Sequence, residues 1–261
     1  MNLKKYKLHW FLEVLKTIKI FKNWPSIIRS YFYSDKTIKA ILRDGTEFVI
    51  RTNRVDRIVI KEIFAEKVYH RYINQLKDNS VVIDIGGNIG AFSLLAARQN
   101  RGIKVYTYEP FEENFLILND NIKLNGLYQQ IKAFNVAVSG TEGVRTVFSG
   151  RSDARSNLYE NEGEKLQIKT CTLRNILEDN EISICDLLKM DCEGAEYEIL
   201  YSTPDEIFDR IKTISMEYHE YFGTGKGSEL KLYLEKHGFQ VIMHGKEVGY
   251  IHAEKLNNET A

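Results

Sequence analysis

From Ser80 onward, strand-like and helix-like segments take turns, and this alternation limits the fold more than any other feature of the sequence. "VVIDI" (residues 81–85) reads as a strand of branched apolar residues, and "AFSLLAARQ" as a helix opening just after Gly90. "KVYTYEP" and "EENFLILNDNIKLN" repeat the pair, and "IKAFNVAV" adds one strand, followed by a turn at Gly140 to Gly143. "LLKMD", "AEYEILYS", "IKTISMEYH" and "GSELKLYLEKHG" continue strand, helix, strand, helix, and "FQVIM" with "GYIHA" closes the chain. Such alternation predicts an α/β fold on a doubly wound, mostly parallel sheet. At 261 residues, 43% of them apolar, the chain is long enough for one such domain with an appendage.

The appendage is N-terminal. Residues 3–33 predict amphipathic helix broken at Asn23-Trp24-Pro25, because proline disfavours helix at the residue before it. "KAILRDGTEFVI" (39–50) predicts a hairpin turning at Asp44-Gly45. Residues 1–55 therefore form the extension, and residues 56–261 the main domain, which begins with helical periodicity from Asp56 to Leu76. Within residues 1–35, seven Lys/Arg stand against two acidic residues, a local charge of +5 among many large apolar side chains. Lys16, Lys19 and Lys22 interrupt the apolar run, so no window offers the ~20 apolar residues of a membrane span. No secretory cleavage signature follows. A basic amphipathic segment of this kind suits peripheral contact with an anionic membrane, or packing on the sheet, or a homodimer interface.

Over the whole chain, 36 basic and 36 acidic residues cancel, which gives no argument for a nucleic-acid partner. Cys171, Cys185 and Cys192 have spacings that suit neither a zinc clip nor a disulfide framework, and a reduced, cytoplasmic compartment is expected.

In doubly wound sheets, ligands bind beyond the carboxyl ends of the strands. Gly86, Gly87 and Gly90 follow the first strand there, where glycines let the backbone turn tightly and approach a ligand. A dinucleotide site wants G-x-G-x-x-G, but here Asn88 takes the second glycine position and Ala91 the third. Asp84 would repel a pyrophosphate and suit a cationic ligand end, such as the ammonium and sulfonium of S-adenosylmethionine (SAM). Glu109, 19 residues beyond Gly90 and followed by Pro110, is placed to accept hydrogen bonds from ribose hydroxyls.

Farther on, "LLKMDCEGAEYEIL" (187–200) gathers Lys189, Asp191, Glu193 and Glu196 around Gly194 at a strand end. Glu196 reads as a first-turn helix carboxylate. Asp191, still on the strand, is expected beside the methyl donor or the acceptor. Burial would raise its pKa and Lys189 would lower it. In "SMEYHEY" (215–221), two-residue alternation puts Glu217 and His219 on one face. Asp191, Lys189 and His219 are the candidate catalytic residues, with Asp191 or His219 as the base. Asp191, Glu217 and His219 would also suit a divalent metal, but no compact ligand motif indicates one, and none is expected.

"VVIDIGGNIGAFSLLAA", "VYTYEPFEENFLILNDNIKLN", "FNVAVSGTEG" and "LLKMDCEGAEYEIL" together resemble the FkbM family of class I SAM-dependent methyltransferases. The resemblance implies a Rossmann-like, seven-stranded sheet and methyl transfer to a hydroxyl oxygen, with S-adenosylhomocysteine as product. The implied acceptor is a sugar in a glycan or glycoconjugate, or otherwise a secondary metabolite or lipid-linked precursor. Carried over by motif, Asp84, Gly86, Gly87, Asn88 and Gly90 surround the methionine end of SAM, Glu109 and Pro110 the ribose, and Asn135 to Ala137 the adenine. Asp191 then sits where the methyl group faces the acceptor. After "TCTL" the chain has Arg174 and Asn175, where the family often has acidic residues. An NAD-dependent oxidoreductase and a non-catalytic SAM-binding protein are the rival readings.

Overall fold

The computed structural model describes residues 3–32, 36–149, 164–220 and 225–256. Helix α1 (Leu3–Ile20) and helix α2 (Trp24–Arg29) are parted at Asn23, with Pro25 in the first turn of α2, where no amide donor is needed. Strands β1 (Thr37–Ile41) and β2 (Glu47–Arg51) form the expected antiparallel hairpin. Gly45 takes φ +86° in its turn, and Asp44 Oδ1 accepts from Thr46 N. The helical periodicity that follows is divided. Helix α3 (Asp56–Lys61) runs into a π-helical stretch at Glu62–Glu66, then Lys67 turns left-handed at φ +58° before the short α4 (His70–Ile73).

The alternating region forms β3 (Val81–Ile85), α5 (Ala91–Gln99), β4 (Lys104–Tyr108), α6 (Glu112–Leu124) and β5 (Ile131–Phe134). After β6 (Ala137–Val138), β7 (Gly143–Ser149), β8 (Glu164–Cys171) and α7 (Leu173–Asp179), the order resumes with β9 (Leu187–Met190) and α8 (Glu196–Ser202). It ends with α9 (Asp205–Phe208), β10 (Thr213–His219), α10 (Gly227–Lys236), β11 (Phe239–Gly245) and β12 (Val248–Lys255). The main sheet has seven strands in the order β11-β12-β10-β9-β3-β4-β5, a Rossmann-like arrangement in which only β12 opposes its neighbours. The strand order reverses at β3, between β9 and β4, which is where this fold opens a ligand crevice.

Successive strand residues feed opposite faces. Val82 joins one apolar cluster with Ile89, Phe92 and Leu94, while Ile83 and Ile85 join another with Leu188, Met190, Ile214 and Met216. Each fully buried side chain of this size contributes about 1.5–3 kcal/mol. The extension shares the first cluster through Phe21, Ile27, Leu42, Phe48 and Ile50. Asn121 of α6 and Asn125, which caps it, bind the edge of β2: Asn121 Oδ1 accepts from Val49 N at 2.6 Å, and Asn125 Oδ1 from Glu47 N at 3.0 Å. Among the described residues, no helix is long and apolar enough to cross a membrane.

Two departures from the sequence reading lie after β5. "IKAFNVAV" is two strands, because Asn135 Nδ2 donates to the carbonyls of Glu109 and Pro110, both at 2.9 Å, and bends the chain out of the sheet. The second piece, β6, joins β8 and β7 in a separate three-stranded sheet that the sequence reading did not foresee.

Candidate functional site

A cavity of about 980 Å³, counting its open mouth, lies beyond the carboxyl ends of β3, β4 and β9. Its floor is the turn after β3. Gly86 has φ +79°, and a Cβ there would stand 1.9 Å from the carbonyl oxygen of Asp191, so only glycine lets the two strand ends lie together. Gly87 packs against Thr107, where a Cβ would meet Oγ1 at 2.2 Å. Asn88 follows in the left-handed region at φ +48° and lines the cavity with a buried Oδ1 that has no partner among the described residues. Gly90, at φ +86°, starts α5 behind this turn and is not on the cavity wall.

Asp84 does not meet the cavity. It is fully buried, and its Oδ1 stands 3.0 Å from Lys189 Nζ in an ion pair. Its Oδ2 accepts from Ser93 Oγ at 2.6 Å and from Thr107 Oγ1 at 3.3 Å. The expectation that Asp84 touches a ligand ammonium is therefore corrected, and its charge, compensated by Lys189, is no argument against a pyrophosphate. Lys189 is likewise a positioning group and not a catalytic one. Besides Asp84, its ammonium donates to Gly86 O at 2.8 Å and Ile85 O at 3.3 Å, which holds the glycine turn on the end of β9.

Glu109 is buried at the end of β4 and does line the cavity. Oε2 accepts from Asn88 N at 2.8 Å, and Oε1 from Phe111 N at 3.0 Å and Asn114 Nδ2 at 3.2 Å. Burial raises its pKa, against the pull of these donors. Three donors leave about one lone pair of the carboxylate for a ligand hydroxyl. Pro110, Phe111, Tyr108, Ala137 and Val138 continue the wall as an apolar slot. Asn135 is not part of it, because its amide is spent on the two backbone carbonyls that end β5.

The opposite wall is acidic. Asp191 and Glu193 line it from β9 and its turn, and Glu62 faces them from the π-helical stretch, accepting from Tyr250 Oη at 2.9 Å. Tyr69 is buried on the same wall, with no partner for its hydroxyl among the described residues. Glu217 and His219 extend from β10, where one atom each of Asp191, Glu217 and His219 lies within 4.8 Å of the other two. Burial, then the charges of Asp191 and Glu62, push Glu217 up to about 8. For His219, burial disfavours the imidazolium, but the hydrogen bond and charge of Glu196, with Glu193 and Asp191, outweigh it and raise the pKa to about 9. Its Nδ1 is 3.3 Å from Glu196 Oε1, and since a carboxylate only accepts, Nδ1 carries the proton. His219 is thus protonated near neutral pH and is not the base of the sequence reading. Glu196 has no exposure and also accepts from Cys192 N and Gly194 N, a structural role as expected.

Sequence reasoning missed Glu62, Tyr69 and Tyr250. The helical periodicity from Asp56 to Leu76 covers Glu62 and Tyr69 without saying that they face a cavity, and Tyr250 enters through the antiparallel strand of the main sheet. Arg174 and Asn175 lie away from the cavity. Asn175 closes a capping box with Thr172 at the start of α7, and Arg174 pairs with Glu206 at 2.5 Å.

A family profile described as the methyltransferase FkbM domain matches residues 84–241, more than half of the chain, from Asp84 through the acidic wall into β11. The chain belongs to the FkbM methyltransferase family. This FkbM-family protein is 27% identical over 218 residues to the 31-O-demethyl-FK506 methyltransferase FkbM of Streptomyces tacrolimicus, covering 71% of this chain and 82% of that one. It is 26% identical over 217 residues to the methyltransferase sdnD of Sordaria araneosa, with the same coverage. Among solved structures, precorrin-6y C5,15-methyltransferase from Geobacter metallireducens aligns with a TM-score of 0.46 and 16% identity, over 75% of this chain and 89% of that one. The protein is a SAM-dependent methyltransferase, and the cavity fits that cofactor. The turn at Gly86 and Gly87 has no room for a side chain, Asn88 Oδ1 lacks a partner, and Glu109 keeps an acceptor site beside an apolar slot.

Proposed function

We propose that this methyltransferase acts on oxygen, transferring the methyl group of SAM to a hydroxyl of a sugar in a glycan or glycoconjugate. The observation that carries this reading is the acidic wall of Glu62, Asp191 and Glu193, with Glu217 near Asp191, beside the glycine turn. Ionised carboxylates only accept, and Glu217, kept protonated by its burial, also donates, so this wall suits a ligand that brings hydroxyls, which can do both.

SAM, when bound, supplies an electrophilic methyl on sulfur, and its S–CH3 bond breaks as the acceptor's O–CH3 bond forms. The chain would hold it by the Gly86–Asn88 turn at the methionine end, by Glu109 at the ribose and by the slot of Tyr108, Phe111, Ala137 and Val138 at the adenine. Asp191, at the junction of the two walls, positions the hydroxyl, and a wall carboxylate takes its proton. Placing the oxygen within attack distance and removing its proton are what the protein adds.

A second reading is supported by the printed name of the Streptomyces tacrolimicus relative, in which the acceptor is FK506 demethylated at oxygen. On that reading the acceptor here is a secondary-metabolite hydroxyl. The test is release of S-adenosylhomocysteine from SAM over a panel of free sugars, glycosides and hydroxylated metabolites, with the product's methylated atom assigned by NMR. An O-methyl sugar supports the first reading, and an N- or C-methyl product overturns both. Asp191→Asn is expected to lower turnover by about 10²–10⁴-fold while SAM binding persists.

A further inference from the structure

The acidic wall contains one group of side chains with the composition of a metal site. Asp191 directly follows β9, and Glu217 and His219 stand two residues apart on the same face of β10. One ligand atom from each lies within 4.8 Å of the other two. Two ligands at about 2.1 Å from an ion span at most about 4.2 Å, so small carboxylate rotations close the site. The histidine is already oriented. Nδ1–H is given to Glu196 Oε1 at 3.3 Å, and Nε2, whose proton a bound ion displaces, faces the carboxylates, 3.6 Å from Glu193 Oε2 and 3.8 Å from Glu217 Oε1. A carboxylate behind the far nitrogen is the usual support of a ligating imidazole, because it fixes both tautomer and ring direction.

A second observation points to a ligand in the same space. Tyr69 is 1% exposed, lines the cavity with Asp191, and its hydroxyl has no hydrogen-bond partner among the described residues. A buried hydroxyl without a partner costs about 1–3 kcal/mol, which an oxygen bound at the site would relieve by accepting its proton.

We propose that Asp191, Glu217 and His219 bind one divalent cation of the manganese or magnesium class, whose open coordination positions take an oxygen of the acceptor. Two carboxylates and one imidazole form a hard oxygen set with a single nitrogen, which suits Mn²⁺ and Mg²⁺ better than thiolate-seeking ions. Glu62 and Glu193, outside the ligand set, are then the wall carboxylates left to accept the hydroxyl proton. The acceptor's part in this rests on the methyl-transfer reading, whereas binding of the ion does not.

The test is titration of MnCl2 into the full-length protein, with and without S-adenosylhomocysteine, followed by electron paramagnetic resonance. One bound ion per chain with a ¹⁴N coupling from imidazole in the spin-echo spectrum is the expected result, and it needs no variant to fold. MgCl2 is expected to displace the ion. Glu217→Gln and His219→Gln are expected to weaken Mn²⁺ binding about 10–100-fold, whereas the exposed Glu113→Gln leaves it unchanged. Thermal melts report that each variant is folded, and Mn²⁺ should raise the Tm of the unmodified protein and of Glu113→Gln by more than that of Glu217→Gln or His219→Gln. Absence of stoichiometric binding overturns the proposal, and so does bound Mn²⁺ with no nitrogen coupling. Calorimetry with S-adenosylhomocysteine on the same preparation scores the cofactor reading separately.

Discussion

Replacing Lys189 by methionine removes a cation from a place that water does not reach. The side chains of Lys189 and Asp84 are 4% and 0% exposed, with Nζ 3.0 Å from Oδ1. The substitution leaves a buried carboxylate with only the hydroxyls of Ser93 and Thr107, and takes a donor from the carbonyls of Ile85 and Gly86. Breaking one side of a buried pair in this way costs about 3–5 kcal/mol. Asp84→Asn is nearly isosteric and leaves the ammonium buried without its counter-charge, so a loss of similar size is expected. The double variant Asp84→Asn/Lys189→Met leaves neither charge stranded. Its loss should fall short of the sum of the single losses by about 2 kcal/mol, within the range for residues in direct contact. Urea unfolding followed by circular dichroism, with the slope m held constant across the set, measures all three values. A cost below about 1 kcal/mol for Lys189→Met, or strict additivity, would refute the assignment of this pair as the support beneath the glycine turn.

Other outcomes follow from the same geometry. Gly86→Ala combines a left-handed φ, worth about 1–2 kcal/mol, with a Cβ 1.9 Å from Asp191 O, and should abolish SAM binding in calorimetry; Gly45→Ala, with φ +86° and open space around it, should cost only the backbone term and leave binding intact. His252 is held down to about 4, by burial first and then by the charges of His244 and Arg71. The folded state therefore carries fewer protons than the unfolded one between about pH 6.5 and 4, so stability is intact above that window and falls as pH drops through it. Urea midpoints against pH should show this fall, and His252→Gln should flatten it. Trp10, Phe11, Leu12 and Leu15 are 61%, 53%, 48% and 45% exposed on α1, in a segment of charge +5. The full chain should co-sediment with phosphatidylserine vesicles at low salt and Trp10→Ser/Phe11→Ser should not; equal pelleting would refute this.

The fold was legible because its signals are local. Branched apolar strands, helix periodicity and glycine turns recur in register from Ser80 onward, and Asp44-Gly45 marks its own hairpin. The β7–β8 pair was missed although Leu166, Ile168 and Thr170 alternate as a strand should. The break at Asn135 depends on a side chain reaching two carbonyls beyond β4, a contact between distant parts of the chain. Glycine positions, Glu109 and Asp191 could be placed from spacing alone, since they sit at strand ends. The partners of Asp84, Lys189 and His219 could not, because a carboxylate at a strand end looks the same in sequence whether it faces a ligand or a buried ammonium. Glu62 and Tyr69 lie inside the periodicity read from Asp56 to Leu76, but a helical pattern does not say that a π-helical stretch and the turn after it face a cavity.

The most direct test of the account is a calorimetric titration of the purified protein with SAM, S-adenosylhomocysteine and NAD, repeated on Glu109→Ala. The account predicts one site per chain for the first two ligands, no heat from NAD, and affinity about 10–100-fold weaker in the variant, as loss of a hydrogen bond to a charged group implies. Silence toward SAM and S-adenosylhomocysteine, or tighter binding of NAD, would contradict it.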